Sequence, residues 1–312
     1  MLRTVILAAA RSAHLKRVVT TAPVSRSVVR RYVAGEEADN AVSVSQELTS
    51  QGLCVTLDHL GEDTTEPAHA EANAAAYRGL LRRLHEAGLT RPIGGVAGAE
   101  VSVKLSAVGQ ALDERLALDH TREVCAAAKT AGTTVTLDAE DHTTTDSTLR
   151  ILRALRVDYP DTGAVLQSYL RRTESDCREL AHAGSRVRLC KGAYNEPAGV
   201  AFTDPAEVDR SYVRCLNVLL AGDGYPMIAT HDPRLIEIAG ARARGLGREP
   251  GSYEFQMLYG VRPDEQRRLA RSGDTVRVYL PYGDEWYGYL MRRLAERPAN
   301  VAFFLRSLVD TR

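Results

Sequence analysis

RVRLCKG, residues 186–192, is a short run of β-formers that ends in a lysine and a glycine. Seven runs like it recur along the chain: GLCVTLD (52–58), EVSVKLS (100–106), TTVTLDA (133–139), AVLQSYL (164–170), PMIAT (226–230), SYEFQML (252–258) and TVRVYLP (275–281). Each is rich in Val, Leu, Thr or Tyr and too short for a typical helix, so each predicts a strand. Between them lie segments with helical spacing, clearest in 71–88, 119–132, 204–222 and 232–245. Several open on Asp or Thr and close on Gly, the residues that cap helix starts and stops.

Strands alternating with helices imply a parallel sheet, and eight repeats in this length predict an α/β fold of (β/α)8, TIM-like barrel type. A doubly wound sheet is the alternative. Against it, no G-x-G-x-x-G follows the first strand and no G-x-x-x-x-G-K-[ST] occurs. Residues 1–50 are then extra N-terminal helices packing on the barrel. Residues 51–312 form the catalytic barrel, ending in a C-terminal helical segment.

Forty Lys plus Arg balance forty Asp plus Glu, so nothing points to a nucleic-acid partner. The five cysteines are odd in number and lack C-x-x-C spacing, which predicts reduced thiols in a cytoplasmic protein. VILAAA (5–10) is too short for a signal peptide core and is followed by Arg11, His14, Lys16 and Arg17, so an amphipathic helix is the better reading. No stretch approaches the ~20 apolar residues that span a bilayer.

In a barrel of this kind chemistry belongs at the C-terminal ends of the strands. Those ends are polar throughout: Asp58, Lys104 with Ser106, Asp138 with Glu140, Gln167, Arg188 with Lys191, Thr230 with His231, Gln256, and Tyr279. The cations suit an anionic ligand, a phosphate or a carboxylate. The histidines are scattered and no H-E-x-x-H occurs, so no metal site is expected. After the last strand, Tyr289, Arg292, Arg293 and Glu296 recur at i, i+3, i+4 and i+7 and share one helix face. On its own that face is an ordinary ion-pair surface, each pair worth only ~0.3–0.5 kcal/mol.

SVKLSA (102–107), LDAED (137–141), LQSYL (166–170), RLCKGAY (188–194), ATHD (229–232), YEFQMLYGVRPDEQRRL (253–269), VRVYLPYG (276–283) and YLMRRLAERPAN (289–300) occur in this order. Together they resemble the proline dehydrogenase family, over about residues 50 to 312. The resemblance implies FAD at the barrel mouth, L-proline as substrate and Δ1-pyrroline-5-carboxylate as product. Electrons would pass to a membrane quinone, with peripheral association at the inner face of the plasma membrane. The N-terminal amphipathic stretch and residues 299–309 are the candidate contact faces, although such faces more often cover a core.

The resemblance also implies roles. Arg188 would contact the flavin near N5. Cys190, Lys191, Gly192 and Ala193 would lie against the cofactor, Gln167 at its pyrimidine edge, and Thr230, His231 and Gln256 along it. Leu258 and Tyr194 would line the substrate pocket, with Tyr279 closing it. Arg292 and Arg293 would clamp the proline carboxylate, Lys104 serving as third cation, and Asp138 would orient an arginine. Tyr289 would pack against C4 of the ring. Glu62 would gate the pocket and Glu296 would brace the arginines. Cys190 stands where valine is common, and Asp232 where asparagine is common, with Asp232 also able to cap the next helix. Two rivals stand beside this reading: a lyase or aldolase forming a Schiff base on Lys104 or Lys191, and a catalytically dead barrel that only binds.

Overall fold

The computed structural model describes residues 29–296, with the side chains of 292–296 outside the description. The N-terminal amphipathic stretch and the last helical segment (297–312) therefore lie outside the described residues.

A helical turn at 29–32 is followed by α1 (Ala38–Ser50). Eight strands then alternate with helices: β1 (Cys54–His59), α2 (Pro67–Glu86), β2 (Ala99–Val103), α3 (Glu114–Thr130), β3 (Val135–Leu137), α4 (Thr145–Arg156), β4 (Gly163–Gln167), α5 (Thr173–Leu180), β5 (Arg186–Cys190), α6 (Pro205–Ala221), β6 (Tyr225–Ala229), α7 (Pro233–Gly245), β7 (Glu254–Leu258), α8 (Pro263–Arg271), β8 (Val276–Tyr282) and α9 (Trp286–Glu296). Every neighbouring pair is parallel, and β8 closes onto β1, pairing Thr56 with Tyr279 and Asp58 with Pro281.

All eight expected strands form, with ends shifted by one to a few residues. The fourth stops at Gln167 because the chain turns at Ser168 and Tyr169; the third is only Val135–Leu137. A small hairpin, Pro92–Ile93 with Val96–Ala97, was not expected. Its turn is Gly94-Gly95, both at positive φ, where glycine carries no Cβ penalty. Helix starts follow the cap chemistry. The Asp113, Asp204 and Asp232 side chains accept from the first-turn backbone N–H groups of α3, α6 and α7.

Alternation along each strand sorts the core. Val55, Leu57, Val101, Val103, Leu137, Leu189, Phe255 and Val278 join a buried cluster with Tyr77, Leu81, Val124, Leu155, Leu216 and Leu235 from the helices. The other set of positions meets inside the barrel and is largely ionic. In the N-terminal half, Arg186 pairs with Glu100 at 2.6 Å and Arg277 with Glu254 at 2.8 Å. Glu100 also accepts from Thr56 and Thr136. In the C-terminal half, Lys104 and Arg188 meet Asp58 and Asp138. Aliphatic layers usually fill this space; here four acids face four bases.

Arg277 is fully buried, so removing it strands Glu254. Arg277→Met is expected to lower stability by about 3–5 kcal/mol in urea unfolding. Arg277→Met with Glu254→Gln is expected to lose less than the single change. A double variant no better than the single one would show that unpaired charge is not the cause.

Candidate active site

Lys104 lies just past β2 and its ammonium is held at 2.5 Å by Asp58, the last inward residue of β1. Asp138, just past β3, lies 3.7 Å from the same ammonium and accepts from Ser102 Oγ at 2.6 Å. It also accepts from Arg188 Nη1 at 2.7 Å and the Tyr279 hydroxyl at 2.6 Å. Arg188 donates through Nε to Gln256 Oε1 at 2.5 Å, and its guanidinium lies 5.3 Å from the Tyr279 ring centre. Thus β1, β2, β3, β5, β7 and β8 each supply a member of one buried network.

Its electrostatics follow from burial and pairing. Burial pushes the Asp138 carboxyl up, but the Arg188 and Lys104 cations and the Ser102 and Tyr279 hydrogen bonds outweigh it and hold it low. Asp58 goes the other way: burial outweighs the attraction of Lys104 and raises it. Burial disfavours charge on Lys104, yet Asp58, Asp138 and Glu62 together raise it, so it stays an ammonium. Burial and then the charges of Asp138 and Asp58 push the Tyr279 phenol far up, so it remains a donor. Burial also raises Glu140, against hydrogen bonds from the Ser106 backbone and hydroxyl.

The structure brings Lys104, Asp138, Arg188, Gln256 and Tyr279 together. Asp58 belongs with them although no role was expected of it; its place as the polar end of the first β-run is the signal. Lys104 is a paired cation here, not a spare one. Gln167 is buried in β4, and its amide nitrogen donates to Glu140 O at 2.7 Å. Lys191 pairs with Asp209 at 2.5 Å and Asp232 at 3.3 Å. Burial pushes the half-exposed Cys190 thiol up to about 11, which suits a small neutral filler. Gly192 has φ +109°, and a Cβ on it would fall 2.3 Å from the Tyr169 ring. The visible need for glycine is therefore room for Tyr169, whereas closeness to a cofactor was expected.

Thr230 is buried and its hydroxyl accepts from the Asp232 N–H. His231 Nε2 accepts from the Leu258 N–H at 2.8 Å, so in the neutral ring Nδ1 carries the proton. Ala193 is exposed and Tyr194 half-buried in the loop after β5. Glu62 is half-buried after β1, its charge felt at Lys104 and Glu140. Tyr289 is buried in α9. Arg292, Arg293 and Glu296 continue α9, but their side chains lie outside the described residues. At the opposite end of the barrel a cavity of about 660 Å³ is lined by Arg186, Tyr225 and Arg248. Arg248 is committed there to four backbone carbonyls and Arg186 to Glu100.

Among the described residues, Arg188 Nη2 is buried and has no hydrogen-bond partner. An orphaned guanidinium nitrogen in an otherwise satisfied cluster can donate to a ligand acceptor without giving up a bond already made. Fold and site together define a (β/α)8-barrel enzyme whose C-terminal mouth is a preorganised ion cluster. Residues 41–306 match the family model described as proline dehydrogenase, and the chain belongs to that family. It is 41% identical over 290 residues to the proline dehydrogenase of Deinococcus radiodurans, covering 91% of this chain and 90% of that one. It is 37% identical over 285 residues to proline dehydrogenase 1 of Bacillus subtilis strain 168, covering 91% and 92%. Among solved structures, it superposes with a TM-score of 0.80 and 26% identity on proline utilization A of Bdellovibrio bacteriovorus inactivated by N-propargylglycine. That match covers 87% of this chain and 33% of the longer protein. No helix of the described residues is long and apolar enough to cross a membrane.

The Asp138 shift gives a signed pH dependence. Above about pH 4, the ordinary carboxylate value, folded and unfolded chains are both ionised at this residue and the pairing contributes in full. As pH falls, the unfolded chain takes up a proton that the folded chain resists, and stability drops. Asp138→Asn is expected to be less stable at neutral pH but to lose less between about pH 5 and 3, read as urea midpoints. A parallel fall would place the acid sensitivity elsewhere.

Proposed function

We propose that the protein oxidises L-proline to Δ1-pyrroline-5-carboxylate, using bound FAD and passing the electrons to a quinone. The observation that carries this is the buried, unpartnered Arg188 Nη2 at the barrel mouth, in a chain of the proline dehydrogenase family. A fixed donor of this kind fits a flavin, since a cation aimed at developing negative charge stabilises it without reorganising. When bound, FAD would supply the hydride acceptor for proline C5.

The remaining roles belong to the chain. The four buried charges Asp58, Lys104, Asp138 and Arg188 cancel, so this cluster offers no net attraction to a carboxylate. That attraction would come from Arg292 and Arg293, whose two planar forks suit carboxylate geometry. Orienting the ring in this way is positioning catalysis. Tyr289 would limit room at C4, with Leu258, Tyr194 and Tyr279 completing the pocket; Glu62 would gate it and Glu296 brace the arginines. Lys191, Gly192, Ala193, Cys190, Gln167, Thr230, His231 and Gln256 would hold the cofactor. Peripheral contact with the inner face of the plasma membrane would bring the quinone within reach.

The Schiff-base rival fares worse. Such a lysine must shed its proton to attack, and Lys104 is pushed toward a permanent charge by Asp58 and Asp138.

Purified protein supplied with FAD is expected to show flavin absorption bands that bleach on anaerobic addition of L-proline. A colourless protein that cannot be reconstituted would end the flavin reading. Bands indifferent to proline would end the substrate assignment. Arg188→Lys keeps the charge but loses the fork. It is expected to lower kcat by about 10²-fold, with some loss of urea stability from the fork's bonds to Gln256 and Ser102; unchanged turnover would remove Arg188 from this role.

A further inference from the structure

Glu196 has no part in the chemistry above, yet its side chain is only 3% exposed. It sits in the loop after β5, two residues beyond Tyr194. A carboxylate so far from water is costly unless its lone pairs are used, and these are. Oε1 accepts from the His142 backbone N–H at 2.9 Å and from the Tyr169 hydroxyl at 3.1 Å. Oε2 meets His142 Nδ1 in close contact.

The three contacts come from two strand-end loops and hold a third, the one that carries Glu196. His142 follows β3 in the turn built by Asp141, which accepts from the Thr143 N–H at 2.8 Å. Tyr169 follows β4, and its backbone N–H donates to Lys191 O at 2.9 Å. Its ring fills the space that a side chain on Gly192 would need. Burial and then the Glu196 charge push the Tyr169 phenol up, which keeps it a donor. The loop from Lys191 is therefore pinned by Lys191 at its start, by the Leu170–Ala201 bridge at its far end, and by Glu196 between them.

We propose that Glu196 is a positioning residue: by holding His142 and Tyr169 at once, it fixes the loop 191–194 in the conformation that receives the cofactor and substrate. The inference rests on the proposed flavin-dependent function for its consequence, but not for its structural core. A carboxylate at this place couples the loops after β3 and β5, so both loosen together when it is lost. Glutamine in its place can still accept from the His142 N–H and the Tyr169 hydroxyl through one oxygen, but it loses the charge and sets an amide donor where Oε2 accepted from His142 Nδ1.

Hydrogen exchange of the ligand-free protein tests the coupling directly. Glu196→Ala is expected to speed exchange in residues 141–144 and 191–196 together, with Glu196→Gln in between. Faster exchange in one loop alone, or in neither, would overturn the proposal. With FAD titrated into the apoprotein, Glu196→Ala is expected to weaken binding ~10–100-fold, with a shifted flavin spectrum and partial rescue in Glu196→Gln. An unchanged affinity and spectrum beside a lowered urea midpoint would make Glu196 merely structural and overturn the positioning role. If wild-type protein binds no FAD, the proposed function fails while the exchange result still decides the coupling.

Discussion

Arg188 and Asp138 lie 2.7 Å apart inside a barrel, where both are largely cut off from water. Lys104 with Asp58, Arg186 with Glu100 and Arg277 with Glu254 share that condition. A buried ion costs several kcal/mol unless a partner and hydrogen bonds restore what water gave. Every strand that brings a charge inward is therefore bound to another strand that neutralises it. The barrel has to close in one register, because a one-residue slip would turn Arg188 toward the helices and Leu189 toward the ions. An aliphatic interior of the same volume would tolerate more. The stability of this fold must then come chiefly from the layer between wall and helices, where Leu57, Val101, Phe255 and their neighbours meet Tyr77, Leu81 and Leu216.

That ionic interior is what the mouth of the barrel is made from. Asp138 accepts from Ser102, Arg188 and Tyr279 together, so three strands agree on the place of one carboxylate. Arg188 in turn spends Nε on Gln256 and Nη1 on Ser102 and Asp138, leaving Nη2 alone. A donor so constrained has little freedom to lose when a ligand arrives, which is the physical content of preorganisation. The opposed shifts of Asp58 and Asp138 have the same origin. Both are buried and both accept from hydroxyls, but Asp138 has two cations, whereas Asp58 has Lys104 alone and feels the charge of Asp138, so burial prevails there.

Much of this could be read from residue order. Asp58, Lys104, Asp138, Arg188, Gln256 and Tyr279 each close or punctuate a β-run, and strand-end polarity repeated around a barrel is a pattern one chain displays openly. The ionic floor was also written there, in the alternation of Glu100 with Ser102, Arg186 with Arg188 and Arg277 with Tyr279, but alternation marks only a shared face. Partners could not be read. Lys104 lies 46 positions from Asp58 and Arg188 lies 50 from Asp138, and neither separation is periodic. Glu196 gave no signal, since an acid in a polar loop reads as solvated. The crowding at Gly192 could not be read either, because the strand ends at Gln167 and the Tyr169 ring then turns over the glycine.

The sequence by itself determined the number of strands, their alternation with helices, the capping of α6 and α7 by Asp204 and Asp232, and the polar character of the strand ends. These depend on neighbours within a few positions, through side-chain period and local hydrogen bonding. Only the tertiary structure decided that Lys104 is neutralised by Asp58, that Arg188 keeps one nitrogen unspent, and that the Glu196 carboxylate is buried between the loops after β3 and β4. Those facts depend on which charges share a space without water, and closure of the barrel creates that space.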